Sequence, residues 1–552
     1  MVRRLQPFPS AIICICIFLS MCRLAPASDV KLAWDPSPSG SVAGYKLYMG
    51  NTSGVYQTSV FVGNQTWYQW TGLSADPHYF VVTAIDAYGN ESSFSNEVSI
   101  NTKPSKASPG VFLLPRFQAG QRSFLFDEDT WTGIALTNTG LGSADLAFTA
   151  LDSEGNALAG PDIINPASRR LAAGDQLAKL DTEIFGSGIL RSDPNSWIRV
   201  ESSSPGISGF YLMFNDDVTL MDGSYFSSLP MADFVLTDIE DWGSTRISVA
   251  NDNSVDATVD FELVTAGGSV LKSVSRNIKA RGSMAADLFG DLFMEATPDP
   301  TNYVRAYSNP AVHAFELMLQ ETDSIAVLAG QQAGAGSPVL FSPQYVADET
   351  YRTSLSIINL DPRSGSIRLR LRGDDGSQIG AVRTAALKPN GKLYIEDQGF
   401  FEAPQSSGGY VEIASDGIKL TGSVVFGDIR RRAFLSALPL VSNLQTSAVF
   451  SHVASNDLYF TGIAIVNPNA TEASVELQVY SDEGNRIDST RIRIPAGQRR
   501  CRLLTEFLPA MAGISQLKGY IRLNSDIPVA SFCLFGTHRL SMLSAIPGQA
   551  PP

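Results

Sequence analysis

Four histidines, five cysteines and 55 acidic side chains are the groups of this 552-residue chain best suited to hold a metal or move a proton. The histidines, His78, His313, His452 and His538, stand in four different neighbourhoods, and none has a second histidine at zinc-ligand spacing. Cys14, Cys16 and Cys22 fall in one N-terminal apolar segment, which leaves Cys501 and Cys533 for the rest of the chain. Two cysteines build neither a disulfide framework nor a cysteine zinc site; they form one bridge or remain buried thiols. No serine stands in a nucleophile elbow and no glycine loop has phosphate-cradling spacing. Glycoside hydrolysis needs only a pair of carboxylates, which composition leaves open. Asp127, Glu128 and Asp129 in "FDEDTW", and Asp252 and Asp256 in "NDNSVD", offer oxygens to calcium but lack the spacing of a calcium loop, so they read as solvated turns. No catalytic residue, metal site or cofactor is expected.

Binding chemistry has thin candidates. Alternation along "TWYQWTGL" points Tyr68 and Trp70 inward and Trp67 outward; the same rule makes Tyr45 and Leu47 core and exposes Tyr48. Trp67 and Tyr48 are therefore the ligand-binding candidates, as surface aromatics that stack on a sugar or anchor an interface. The formal charge is −14, or −17 once Arg3, Arg4 and Arg23 leave with a signal segment, so a polyanion is repelled and no nucleic acid partner is expected. Arg430, Arg431, Arg432 and the arginines of "RIRIPAGQRRCRLL" are local exceptions that read as solvated loop and strand-face charges.

The elements that must position these groups begin after residue 27. Residues 1–27 carry Arg3 and Arg4, an apolar stretch from Ala11 to Cys22 and the small-residue run Ala25-Pro26-Ala27, the pattern of a cleaved export signal. The stretch is short of the ~20 residues that span a bilayer; a lipidated Cys22 is a minor alternative, since Met21 is bulkier than the small residue that precedes such a cysteine. No spanning segment follows, so an exported, secreted protein is expected, with periplasmic or cell-surface retention as alternatives. Hydrophobic residues at 44%, charged at 17%, 46 Gly and 30 Pro together describe a globular, turn-rich, all-β chain of several cores.

Residues 28–102 consist of short β-branched and aromatic runs separated by turn residues. With Trp34, Tyr45, Leu47, Gly72-Leu73, Ala84, Asp86 and "SNEVSI" in place, the segment resembles a fibronectin type III domain of exported bacterial proteins. Counting forward from Leu73 puts the family's corner tyrosine at Tyr79 and counting back from Ala84 puts it at His78, so the corner departs from the pattern. The resemblance implies a two-sheet sandwich used for binding or spacing, and no catalysis. Residues 103–110 read as a polar, proline-bearing linker.

Beyond it one strand is written four times: "TGIALTN" from Thr132, "TRISVAN" from Thr245, "TSLSIIN" from Thr353 and "TGIAIVN" from Thr461, at intervals of 113, 108 and 108 residues. Large apolar residues alternate with small or polar ones (Ala135, Ser248, Ser356, Ala464), which predicts one buried face per copy. The closing asparagines Asn138, Asn251, Asn359 and Asn467 suit a positive φ or an Asx turn. Seventeen residues further stand Gly155, Gly268, Gly376 and Gly484, as hairpin glycines; "RGDD" from Arg372 is one of these turns. Each copy then carries an aromatic-led strand, at Trp197, Tyr303, Tyr410 and Tyr520, and three copies close on a proline, Pro230, Pro439 and Pro547.

A period near 108 residues is too long for a solenoid unit, and twice what a propeller blade needs, but suits a self-sufficient sandwich. The expected fold class is all-β: a fibronectin type III-like sandwich followed by four tandem β-sandwich repeats, 111–230, 231–337, 338–440 and 441–552, laid end to end as a rod. The function that follows is a non-catalytic secreted or envelope binding and adhesion scaffold for an extracellular glycan or protein ligand. Its rival is an extracellular carbohydrate-active enzyme or accessory with a carboxylate pair in a copy-specific insertion, such as "ALAGPDIINPASRRLAAG" in the first repeat.

Overall fold

Runs rich in valine, isoleucine and aromatics, interrupted by glycine, proline and asparagine, form strands here and almost nothing else, so the chain is all-β. The structure is a computed structural model and describes residues 15–18, 28–37, 39, 42–52, 54–73, 77–101, 110–115, 130–191, 196–215, 220–227, 229–320, 324–396, 399–404, 407–430 and 433–551. Most of the expected signal and linker, the acids of "FDEDTW", and Arg431 and Arg432 lie outside the described residues. The chain divides into two units, Met1–Ser108 and Pro109–Pro552.

The first unit is a fibronectin type III-like sandwich. Ser28–Trp34 pairs with Trp67–Leu73 on one side and with Ile15–Phe18, from within the expected signal segment, on the other. The facing sheet runs Thr58–Gly63, Val42–Gly50, Pro77–Asp86, Val98–Asn101. Leu32, Trp34, Tyr45, Leu47, Phe80 and Val82 fill the space between them. At the corner His78 takes the buried place beside Phe80, and Tyr79 is only partly buried.

In the second unit every repeat folds into two packed sheets of four strands, the outer sheet of the second repeat gaining a fifth, two-residue strand, Gln331–Gln332. The repeated strand (Thr130–Asn138, Gly243–Ala250, Tyr351–Asn359, Tyr459–Val466) is central in the inner sheet. The last strand of that sheet is Met221–Tyr225 (β1), Ile325–Ala329 (β2), Leu435–Pro439 (β3) or Leu543–Pro547 (β4). Each asparagine closes an Asx turn, its Oδ1 accepting from the amide two residues on (Gly140, Asn253, Asp361, Asn469), while its Nδ2 donates to carbonyls across the repeat.

The repeats do not form a rod. β1 neighbours β2, β2 neighbours β3, β3 neighbours β4, and β4 returns to β1, so the four strands surround one axis and the four repeats close into a ring. The expectation of independent cores failed because the second face of the repeated strand is also buried. Ala135, Ser356 and Ala464 are covered by the preceding repeat, and their small size admits it. Apolar clusters span all four contacts: Phe315, Leu317 and Val327 join the core of the first repeat, Met318 and Leu328 meet Val425 and Leu435, Tyr410 meets Val466 and Ala530, and Phe210 and Met221 meet Phe535 and Met542. The prolines were also out of register. Pro439 and Pro547 end axial strands, whereas the corresponding residue of the first repeat is Tyr225 and Pro230 lies beyond it.

The joints between repeats use the hairpin turns. The amide of Ser283 donates to Ser153 O (3.1 Å), Lys392 to Ala266 O (3.1 Å), Arg499 to Asp374 O (3.0 Å) and, closing the circle, Gln176 to Asp482 O (2.8 Å). The hairpin glycines are pressed into the same joints. A Cβ on Gly155, Gly268, Gly376 or Gly484 would stand 2.1, 1.9, 2.6 or 2.7 Å from a carbonyl oxygen of the next repeat around the ring. The strand-leading aromatics complete the contact: Trp197 Nε1 donates to Arg281 O, Tyr303 OH to Asn390 O and Tyr410 OH to Gly497 O, and Tyr520 sits against Gly174.

Gly268 (φ +79°) is therefore needed for two reasons and Gly513 (φ +82°), where an added methyl would have no atom within 4 Å, for one. Gly513→Ala should cost the backbone strain alone, about 1 kcal/mol. Gly268→Ala should lower the melting temperature of the second unit clearly further in a calorimetric scan, and equal losses would contradict the joint.

Candidate functional site

Two buried polar clusters of the second unit lie where repeats meet. On the axis, Asp222 of β1 is fully buried and is bound by all three other repeats: Oδ1 accepts from Ser544 Oγ (2.7 Å) and Ser436 Oγ (3.2 Å), and Oδ2 from the amide of Val327 (2.8 Å). The other axial strands carry Ala326, Ser436 and Ser544 at its position. Burial pushes the Asp222 carboxyl up to about 8, against the pull of those donors.

Between the second and third repeats lies a second buried polar group. Glu316 accepts from the amides of Thr237 (2.9 Å) and Asp238 (3.2 Å), and Asp238 accepts from Ser356 Oγ (2.6 Å) and from Ser423 Oγ. Lys392 Nζ spends its three donors on Thr237 O (2.7 Å), Pro300 O (2.7 Å) and Asn302 O (2.9 Å). Burial raises Glu316 to about 8, with Asp238 adding to the rise, and lowers Lys392 to about 8. All three are closed off from solvent, so they hold the joint and present nothing to a substrate.

An open site shared by the repeats is an axial pocket of about 640 Å³. The last residue of each axial strand, Tyr225, Ala329, Pro439 and Pro547, lines it, so all four repeats contribute. Its walls are apolar and aromatic, with Phe112, Phe226, Met231 and Leu440, and they carry the amides of Gln331, Gln332, Asn443 and Gln549. Among the described residues no Asp, Glu, Lys, Arg or His side chain lines it. Gln331 is held by Gly422 O and the Thr421 hydroxyl, and Gln549 Oε1 accepts from the amide of Gly209 (2.9 Å). Gln332 and Asn443 are exposed and make no side-chain hydrogen bond to the described residues. A pocket of this size and make-up suits a small neutral ligand.

The residues singled out from the sequence fall elsewhere. Trp67 is 46% exposed and pairs opposite Ala33 on the three-stranded sheet, while Tyr48 is on the other sheet, so the fold does not bring them together. Tyr48 points outward but is engaged: its hydroxyl donates to Glu91, Phe94 meets its ring edge-on at 5.1 Å, and Lys46 Nζ lies 4.7 Å from its centroid. Asp252 is occupied by Arg199 (2.7 Å) and Arg281, and Asp256 by the amide of Ala280 (2.9 Å), Asn277 and Lys279. Among the described residues no group of three His, Cys, Asp or Glu side chains is placed to hold a metal. Cys501 and Cys533 are free thiols. The insertion in the first repeat contributes one acid, Asp162, whose carbonyl accepts from the amide of Gly188. No helix of the described residues is long and apolar enough to cross a membrane.

No family model matches the chain, and no curated protein does. Solved structures similar to parts of it include an α-L-rhamnosidase of Streptomyces avermitilis complexed with L-rhamnose, 10% identical, with 76% of this chain and 56% of that chain covered at a TM-score of 0.15. An α-L-rhamnosidase from Dictyoglumus thermophilum is 11% identical over 78% of this chain and 48% of its own, TM-score 0.16. The central fibronectin-III array of RIM-binding protein is 12% identical over 49% of this chain and 86% of its own, TM-score 0.13. The chain spans about half the length of the two rhamnosidase chains. At such scores the similarity says nothing about the site.

Asp222 makes the ring sensitive to pH. Its folded pKa of about 8 lies above the ~4 of an unfolded aspartate, so its stabilising proton is fully present below pH ~4 and is lost as pH rises through 8. Asn in its place has no proton to lose. The melting temperature of the wild type minus that of Asp222→Asn should fall between pH 5 and pH 8; a difference that stays flat, or rises, contradicts the burial argument.

Proposed function

We propose that the protein is a non-catalytic, exported binding scaffold, in which the ring of four repeats holds an uncharged ligand in its axial pocket and the fibronectin type III-like unit serves as an adaptor or spacer. The observation that carries this reading is the composition of the pocket: four repeats converge on one cavity, and the described residues that line it include no acid, base or histidine. Acid–base or metal-assisted chemistry needs such groups within reach of the bond being broken. The acids that are strongly perturbed, Asp222 and Glu316, are shut inside inter-repeat contacts, where their shifted pKa values arise from structural burial. Export rests on the basic and apolar pattern of residues 1–27.

The test is an array of glycans and matrix proteins probed with the full chain, alongside Gln332→Trp, which places a large ring at the pocket, and Trp67→Ala and Tyr48→Ala in the first unit. Retention should be abolished by Gln332→Trp and unchanged by Trp67→Ala and Tyr48→Ala. Cleavage of an arrayed glycan, or retention indifferent to Gln332→Trp, would contradict the reading.

A further inference from the structure

The chemistry of the pocket wall narrows the ligand. A charged ligand entering this cavity would shed water and meet no opposite charge among the described residues, whose lining side chains are all un-ionised. An anion meets a further penalty from the net charge of −14. A wholly apolar ligand would cover the amides of Gln332 and Asn443, which have no protein partner to replace water and would be left unsatisfied. The remaining class has an apolar face for Phe112, Tyr225 and Phe226 and a rim of hydroxyls for the amides. Tyr225 points the same way: it is partly buried against the core of the first repeat, and its hydroxyl, kept neutral by a pKa that burial raises, has no hydrogen-bond partner among the described residues.

We propose that the axial pocket is a subsite for a neutral saccharide, one sugar ring packing on the Tyr225 and Phe226 side and its hydroxyls reaching Gln332, Asn443 and the Tyr225 hydroxyl. The assignment rests on the binding reading above and adds the class of ligand. An aromatic ring opposes the apolar face of a sugar, and planar amides pair with vicinal hydroxyls in both donor and acceptor roles. The site needs all four repeats, so it exists only in the closed ring.

Titration calorimetry on the full chain tests it with three kinds of probe: neutral oligosaccharides (gluco-, xylo-, manno- and rhamno-configured), polygalacturonate as an anionic saccharide, and N-phenylnaphthylamine as a neutral apolar molecule. A neutral oligosaccharide should bind with an affinity that added salt does not change. The exposed-side-chain variants Gln332→Ala and Asn443→Ala should each weaken it about tenfold, and Tyr225→Phe, which keeps the packing, should weaken it by a similar factor. Trp67→Ala should bind as the wild type does. Binding of N-phenylnaphthylamine alone, displaced in Gln332→Trp, would overturn the saccharide and leave the pocket as a binding site. Salt-sensitive binding of polygalacturonate alone would overturn the neutral class, and saccharide binding untouched by the three pocket substitutions would overturn the location. No binding by any probe would overturn both this assignment and the reading beneath it.

Discussion

One backbone hydrogen bond per repeat, from the amide that opens the outer strand of the inner sheet to a carbonyl in the preceding hairpin turn, decides the architecture of the second unit. Three such bonds would join four sandwiches in a curved row; the fourth, from Gln176 to Asp482, makes the row a circle. Closure has an energetic consequence. Each inner sheet is covered on both faces, by its own outer sheet and by its neighbour, so apolar area that a rod would leave wet is removed from water.

The same position in each repeat also sets the order of assembly. Gln176, Ser283, Lys392 and Arg499 are equivalent in the fold, all are buried, and each finds partners that only its own neighbour offers. Gln176 Nε2 donates to Ser451 O and Gly519 O, Lys392 to three carbonyls of the second repeat, and Arg499 to Pro343 O and Asp374 of the third. Exchange of neighbours would bury Lys392 or Arg499 without those acceptors, a cost of several kcal/mol for an unpaired charge. Near-identical sandwiches thus acquire one pairing scheme, and the axial pocket acquires one arrangement of walls.

Much of the single repeat was legible because its determinants are local. Ile463 and Ile465 in "TGIAIVN" announce a buried face by their spacing, Asn467 announces an Asx turn, and Gly484 a positive φ. The ring was not legible, because the second duties of Gly484 and Tyr410 involve atoms of another repeat, 310 and 87 positions away. Gly484 reads as an ordinary hairpin glycine until Gly174 is placed against it, and Tyr410 reads as core until its hydroxyl meets Gly497. One signal was available. Ala135, Ser356 and Ala464 are small on the strand face that a rod would leave wet, where larger polar residues would be tolerated. Asp222 was missed for a related reason: matching "SSLP" to "SALP" by its proline shifts the first repeat out of register and hides a lone carboxylate among axial residues that are otherwise Ala or Ser. The pocket could not be read at all, since it is assembled from the ends of four strands that only closure brings together.

Closure is tested most directly by a distance between the first and fourth repeats. Nitroxide labels at the exposed positions Ala173 and Glu483, in the full chain with Cys501→Ser and Cys533→Ala, flank the contact between Gly174 and Gly484. With Cys14, Cys16 and Cys22 also replaced by Ser, so that only the two introduced thiols carry labels, pulsed electron spin resonance on the closed ring should give a single narrow distance of no more than ~25 Å, whereas sandwiches of this size in a row would hold the labels roughly 100 Å apart. The short distance is the prediction, and a long or broadly spread one contradicts the ring.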